Sequence, residues 1–305
     1  MKAKTIKIVL AKKINDWIKS IEDESVRNIA KKSVIVTGGC ITSMLLREEV
    51  NDFDIYFSNK AAALAVTNYY VEKFKNGPSN TFKNGSKKID MWVEDQNDRI
   101  KIIIKSAGII AAKNSNDYQY FETLPDNSEQ AAEFVDDILK VAENCEQEDK
   151  PKYRPVYMTE NAITLSDSIQ LITRFFGSPE EIHSNYDFVH CTNYWTNWNN
   201  TLILRPEALE AILTKELRYQ GSKYPLCSII RTRKFIKRNW TINAGQYLKM
   251  CFQLNELDLT DFNVLQEQLI GVDVAYFTEV LEKLKEKGTD KIDSAYLMEI
   301  IDRIF

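Results

Sequence analysis

Two glycines and two aspartates carry the first chemical signal in this chain. In "TGGCITSMLLREEVNDFDIYF", residues 37 to 57, Gly38 and Gly39 end the β-branched run "SVIVTGG", and Asp52 and Asp54 follow in an Asp-x-Asp pair. Carboxylates two residues apart on a strand project to one side. As hard oxygen donors they suit Mg²⁺ or Mn²⁺. A glycine pair ahead of a helix exposes backbone N–H groups at the positive end of the helix dipole, a setting for phosphate, to which Ser43 could add a hydroxyl. Phosphate beside metal describes nucleotidyl transfer from an NTP. Each piece alone also fits an ordinary turn and a solvated strand edge.

The elements that must position these groups follow from periodicity. "SVIVTGG" reads as a buried strand, "CITSMLLREE" as a helix, and "VNDFDIYF" as a strand with Val50, Asp52, Asp54 and Tyr56 on one face. "MKAKTIKIVLAKKINDWIKSI" predicts an amphipathic helix through Ile8, Leu10, Ile14, Trp17, Ile18 and Ile21, and "KAAALAVTNYYVEKFK" predicts another. Strand character follows in "TFKNGSKKIDMWVED" and "RIKIIIKSAGII", and two strands flank the Ser-Asp-Ser turn of "NAITLSDSIQLITRFF". Ser178, Pro179 and Glu181 predict a capped helix start, after which "YDFVHC" is expected to return to strand. Residues 113 to 152 are strongly acidic and are expected to form a partly mobile insertion, whereas from "RPEALEAILTKELRY" onward nearly everything has helical spacing.

The run Gly38, Gly39, Leu45, Leu46, Asp52, Asp54 resembles the head of the DNA polymerase β nucleotidyltransferase superfamily, and within it the tRNA CCA-adding enzymes and bacterial poly(A) polymerases. Their pattern is G-G-x-x-R-D-x-L-L-(spacer)-D-x-D. Here Thr42 and Ser43 stand for the Arg-Asp pair. "SPEEIHSNYDFVHCTNYW" looks like that family's R-R-D-F-T-(I/V)-N-A motif, with Asp187 and Phe188 retained. "YPLCSIIRTRKFIKRNWTI" looks like its arginine-rich helix without the acidic pair. The pairing of "RFFGSPEEI" with "YDFVHCTNYW" is also reminiscent of phage-encoded members.

The resemblance implies an α+β protein, a polymerase β-like mixed sheet with helices followed by an all-helical region. The corresponding domains are a catalytic domain at residues 1–200, containing the acidic insertion, and a helical neck and body at 201–305. It implies a transferase that moves NMP from an NTP, ATP among them, to an RNA 3′-hydroxyl, with a tRNA-like acceptor as partner. Asp52 and Asp54 would hold Mg²⁺ or Mn²⁺, and a third carboxylate would come from Asp90 or Asp187. Gly38, Gly39, Ser43, Arg231 and Arg233 would bind the nucleotide, while Lys234, Lys237 and Arg238 lie along the RNA backbone. Gln170 falls where the family often has an acid, and an amide is a weak metal ligand.

Composition limits the alternatives. The 305 residues, 44% hydrophobic and 11% aromatic, can bury a large core, and a net charge of −4 confines any nucleic-acid contact to a local basic region such as "RTRKFIKR". Five cysteines without a C-x-x-C pair suggest neither a disulfide framework nor a zinc knuckle, and a reducing cytoplasm, bacterial or phage-infected, is expected. No apolar run is long enough to span a bilayer. His183, His190 and Cys191 are expected to be ordinary hydrogen-bonded residues rather than a zinc set. A dinucleotide fold lacks its third glycine. The remaining competitor is an inactive nucleotidyltransferase-fold protein that binds nucleic acid or another protein.

Overall fold

The structure is a computed structural model that describes residues 1–75, 91–96, 99–104, 108–111, 118–121 and 152–269, together with residues 295 and 298. Asp90 and most of the acidic tract lie outside these residues, as does "DVAYFTEVLEKLKEK".

The described chain forms two compact units. The first draws on Met1–Glu122, Leu139–Ser184 and His190–Ile212, and the second includes Asn185–Val189 and the chain from Leu213. In the first unit, helices α1 (Ala3–Ser20) and α2 (Glu24–Ser33) lead into strand β1 (Val34–Thr37), helix α3 (Gly39–Leu46), β2 (Phe53–Phe57) and helix α4 (Lys60–Lys75). Strands β3 (Met91–Gln96), β4 (Arg99–Ile104), β5 (Gly108–Ala111), β6 (Tyr118–Phe121), β7 (Pro155–Met158), β8 (Ala162–Leu165) and β9 (Ile169–Phe176) follow. Helix α5 (Pro179–His183), strands β10 (Tyr194–Thr196) and β11 (Thr201–Ile203) and helix α6 (Pro206–Thr214), whose last two residues belong to the second unit, come next. The second unit carries α7 (Pro225–Ile236), α8 (Ala244–Leu254) and α9 (Phe262–Leu269).

Nine strands make one mixed sheet, ordered β11-β10-β1-β2-β9-β8-β7-β5-β6, in which β2 and β9 run parallel and every other neighbouring pair is antiparallel. Strands β3 and β4 form a separate antiparallel pair. Register fixes what each face carries, because side chains alternate along every strand. Trp195, Val36, Ile55, Leu171 and Ile163 align across five strands, all at most 1% exposed. Helices α1, α2 and α4 cover that face with Leu10, Ile14, Trp17, Ala30, Val66 and Phe74. Each large side chain so buried contributes roughly 1.5–3 kcal/mol. Inside this layer the Trp17 Nε1–H donates to the Tyr70 hydroxyl at 2.8 Å, so the core's largest polar edge is satisfied.

Some expectations need correction. The buried face of α1 runs through Ile6, Leu10, Ile14, Trp17 and Ile18, while Ile8 is 59% exposed. An i to i+4 step from Ile6 to Leu10 follows the helix, whereas a two-residue step from Ile8 crosses it. "YDFVHC" is not a strand: Val189–Cys191 is a 3₁₀ turn, and Phe188 makes only an isolated bridge to Tyr219. Sheet pairing resumes at Tyr194, against β1. Tyr118–Phe121, inside the expected insertion, is the sheet's terminal strand. Helix α6 stops at Thr214, where Lys215 turns left-handed at φ 49°, so "KELRY" is not helical.

Candidate functional site

The site begins where β1 turns into α3. Gly38 has φ 94° and ψ −154°, a conformation that strongly favours glycine, and it caps α3 without any side-chain hydrogen bond. Its N–H donates to the Cys191 carbonyl at 3.1 Å, which fixes the turn's direction. Gly39, the first residue of α3, is exposed, and a Cβ added to it would meet nothing within 4 Å. The protein's own packing therefore does not require glycine there. What the missing side chain achieves is clear space over the first amides of α3, where a helix end attracts anions.

Asp54 is the second residue of β2, half-buried, and Asp52 lies exposed just ahead of the strand, with Phe53 between them turned into the core. Continuing the β1–β2 register one residue past Val36–Ile55 puts Thr37 across from Asp54, next to the glycine turn. The thiol of Cys40, in the first turn of α3, reports the same proximity: burial first, then the charge of Asp54, push its pKa up. The glycine turn and Asp54 are thus neighbours. On the other side Asp54 is in register with Gln170 of the parallel strand β9, and Gln170 with Thr164 of β8. A polar row, Tyr194, Thr37, Asp54, Gln170 and Thr164, backs the apolar row of the core.

The segment after α5 holds this row from behind. The Thr37 hydroxyl donates to the Asn193 carbonyl at 2.9 Å and lies 2.8 Å from His183 Nε2, while Thr42 donates to the His190 carbonyl at 2.8 Å. One hydroxyl proton cannot serve both partners of Thr37, so with that proton on Asn193 the imidazole presents Nε2–H to the hydroxyl. Burial, with Arg205 nearby, pulls the His183 pKa down to about 3 and keeps the ring neutral. The Arg205 guanidinium lies over the Tyr194 ring at 5.8 Å and pairs with Glu180 at 2.8 Å. It is a cation over the polar row, two strands or roughly 10 Å from Asp54 by strand spacing. Sequence reasoning missed Thr37, Asn193 and Arg205. Their partners lie up to 156 positions away, and only register reveals them.

The other sequence-derived residues are distributed as follows. Ser43 is buried, at 6% exposure, in the second turn of α3. Asp187 is 8% exposed in the second unit and accepts from Arg231 at 2.6 Å, so these two are brought together with each other. Arg233 shares α7 with Arg231, and Lys234, Lys237 and Arg238 are exposed at that helix's end, while Phe235 packs edge-on against Phe188 and Trp240. Asp90 is outside the described residues. Among those residues no group of three or more His, Cys, Asp or Glu is placed to hold a metal. Two carboxylates and an amide oxygen still fit one Mg²⁺, an ion that commonly takes one or two carboxylates and completes its shell with substrate phosphates and water.

A family profile described as "Gabija anti-defense 2 family protein" matches residues 8–112 and 107–215. The chain belongs to the Gabija anti-defense 2 family. A curated member, "Gabija anti-defense 2" of Bacillus phage SPbetaL7, is 19% identical over 284 residues, 92% of this chain and 51% of that protein. The chain thus spans about half the length of this relative. Among solved structures, the Thermotoga maritima CCA-adding enzyme complexed with tRNA is similar over 84% of this chain and 49% of its own, at 12% identity and TM-score 0.35. A tRNA nucleotidyltransferase complexed with a primer tRNA and an incoming ATP analogue is similar over 83% and 57%, at 16% identity and TM-score 0.32. Likenesses of this strength carry no argument about activity. No helix among the described residues is long and apolar enough to cross a membrane.

Proposed function

We propose that this chain is a Mg²⁺- or Mn²⁺-dependent nucleotidyltransferase that moves NMP from an NTP to an RNA 3′-hydroxyl, and that the activity serves a phage against Gabija defence. The reading is carried by Asp54 sitting beside a glycine turn whose exposed Gly39 leaves the α3 amides uncovered. The anti-defence part rests on family membership.

In this reading the α3 amides receive the triphosphate and Arg205 neutralises its outer oxygens, from within the same unit as the carboxylates. Asp52 and Asp54 would hold the cation, which when bound would supply positive charge to the phosphoryl oxygens and to the leaving pyrophosphate. The acceptor oxygen attacks the α-phosphorus, the bond to the β-phosphate oxygen breaks, and the hydroxyl proton passes to a carboxylate or to water. Asp90, directly before β3, is the candidate for that carboxylate. Arg231 is held by Asp187, and Lys234, Lys237 and Arg238 are the exposed cations at the end of α7 that would face an RNA backbone.

One observation favours a second reading. Gln170 occupies the strand position next to Asp54, where a third acid would complete a two-cation site. A chain with that change could bind NTP or nucleic acid and act on Gabija without transfer. The test is incubation with each labelled NTP, Mg²⁺ or Mn²⁺ and a small-RNA pool, alongside phage challenge of cells carrying Gabija. Label transfer and phage rescue both lost in Asp52→Ala/Asp54→Ala support the enzyme. Rescue that survives the double variant, with no transfer by wild type, selects the binding protein.

A further inference from the structure

A cavity of about 440 Å³ opens in the first unit between the end of α1, the face of α4 and the chain entering β7. Neither glycine, neither aspartate of the Asp-x-Asp pair, nor Gln170 lines it. Its volume is within the range of small-molecule sites. Its chemistry is specific: among the described residues, Lys19, Lys73, Lys152 and Arg154 face it together with Asp16 and Glu22, in a protein whose net charge is −4. Glu22 is engaged by Lys73 at 2.7 Å, and Asp16 sits 3.9 Å from Lys19. Lys152 and Arg154 have no carboxylate partner among the described residues. Among the described residues, four cations and two carboxylates leave an excess of two positive charges, which matches one phosphomonoester dianion.

The aromatic wall is fixed as firmly as the charges. The Tyr69 hydroxyl accepts from the Glu22 N–H at 3.1 Å and lies 3.4 Å from Lys73 Nζ, and its ring stands edge-on to Tyr70. Tyr153 holds φ 59°, a backbone conformation unfavourable for a bulky side chain. Its N–H is tied to Asp167 Oδ2 at 3.4 Å, and Lys13 lies over its ring at 5.7 Å. Burial, and secondarily Asp167 and Asp16, push its hydroxyl up to about 12, so it stays a neutral donor. A strained tyrosine flanked in sequence by Lys152 and Arg154, two cations that line the same cavity, is arranged for a ligand with a flat ring and a terminal phosphate.

We propose that this cavity binds a nucleoside monophosphate or a close analogue, as a site separate from the Gly-Asp centre. The ring lies along Tyr69 and Tyr153, and the phosphate meets Lys152 and Arg154. The proposal does not depend on nucleotidyl transfer. It is tested on the full chain carrying Asp52→Ala/Asp54→Ala, and on wild type, both in EDTA, so that the Gly-Asp centre cannot supply the signal through a metal. Calorimetric titration with AMP, adenosine, ribose 5-phosphate and inorganic phosphate is the assay, with circular dichroism as the check on folding. AMP is expected to bind at least tenfold more tightly than the other three probes. Lys152→Glu/Arg154→Glu is expected to weaken AMP at least tenfold, and Tyr69→Ala to bring it close to ribose 5-phosphate. No heat with millimolar AMP, or equal affinity in the folded Lys152→Glu/Arg154→Glu variant, overturns the assignment. Binding of inorganic phosphate as tight as AMP refutes the aromatic part of it.

Discussion

Replacing Gln170 by glutamate tests whether the polar row is a cation site. The register puts residue 170 beside Asp54 on a parallel neighbour. Strands lie about 4.8 Å apart, so the two carboxylates would stand roughly 5–6 Å from each other. Coulomb's law then gives about 0.8 kcal/mol of repulsion at the dielectric of water and about 3 kcal/mol at an effective value near 20. In EDTA at neutral pH, Gln170→Glu should therefore unfold more easily than wild type by about 1–3 kcal/mol. Gln170→Leu, which adds no charge, should not show this electrostatic loss.

Mn²⁺ should offset much of this loss. A third carboxylate that raises metal affinity tenfold adds about 1.4 kcal/mol of metal-linked stability once the ion is well above its Kd. Urea denaturation followed by tryptophan fluorescence, with and without saturating Mn²⁺, reads both effects. The signal is dominated by the first unit, because of the five tryptophans only Trp240 lies in the second. A glutamate variant as stable as wild type in EDTA refutes the register argument. A destabilised variant that gains no more from Mn²⁺ than wild type does refutes the cation site.

Two further predictions concern the frame of the site. His183 is held neutral with a pKa near 3, below its usual 6.5, so its contribution to stability is complete above pH 6.5 and is lost as pH falls toward 3. Between pH 8 and pH 5 the loss should be about 2 kcal/mol, and His183→Gln should flatten that part of the stability profile, an equal slope in both proteins counting against a buried neutral ring. The adjacent glycines should behave differently: Gly38→Ala costs roughly 1–3 kcal/mol of stability because of its positive φ. Gly39→Ala should leave the melting temperature nearly unchanged and weaken NTP binding, since space above Gly39 is open to a ligand. Tight NTP binding by Gly39→Val would remove the α3 amides from the site.

Local pattern made much of this legible. The run of valines and isoleucines before Gly38 is β1, the alternation around Asp54 is β2, and the Ser-Asp-Ser turn joins β8 to β9. At α5 the expected cap is present in full: the Ser178 hydroxyl accepts from the Glu181 N–H, and the Glu181 carboxylate accepts from the Ser178 N–H at 2.7 Å. What stayed hidden depends on distant partners. Val189–Cys191 has the composition of a strand, but its carbonyls are used by Thr42, Gly38 and Thr37, which bend it away from the sheet. The resemblance offers Asp187 as one candidate for a third carboxylate. Its carboxylate instead meets Arg231 across 44 positions, a pairing that spacing along the chain does not encode.

The pairing of Asp54 with Gln170 narrows how the site can work. Asp54 is half-buried beside the glycine turn, and its charge helps to keep the buried Cys40 thiol protonated. In the proposed enzyme one cation would need little more than Asp52, Asp54 and the oxygens of a triphosphate, and that arrangement would orient the nucleotide. Activating the attacking hydroxyl would be a separate task that normally takes another carboxylate, and the residue beside Asp54 on β9 is the amide Gln170. Asp90 is then the remaining sequence candidate, which gives the two functions separable signatures. In an active enzyme, Asp90→Asn should cut label transfer by a factor of about 100 or more, the scale of losing a general base, with NTP affinity in Mn²⁺ unchanged. Asp54→Asn should lose both. Transfer at wild-type rate in Asp90→Asn would exclude that residue as the base.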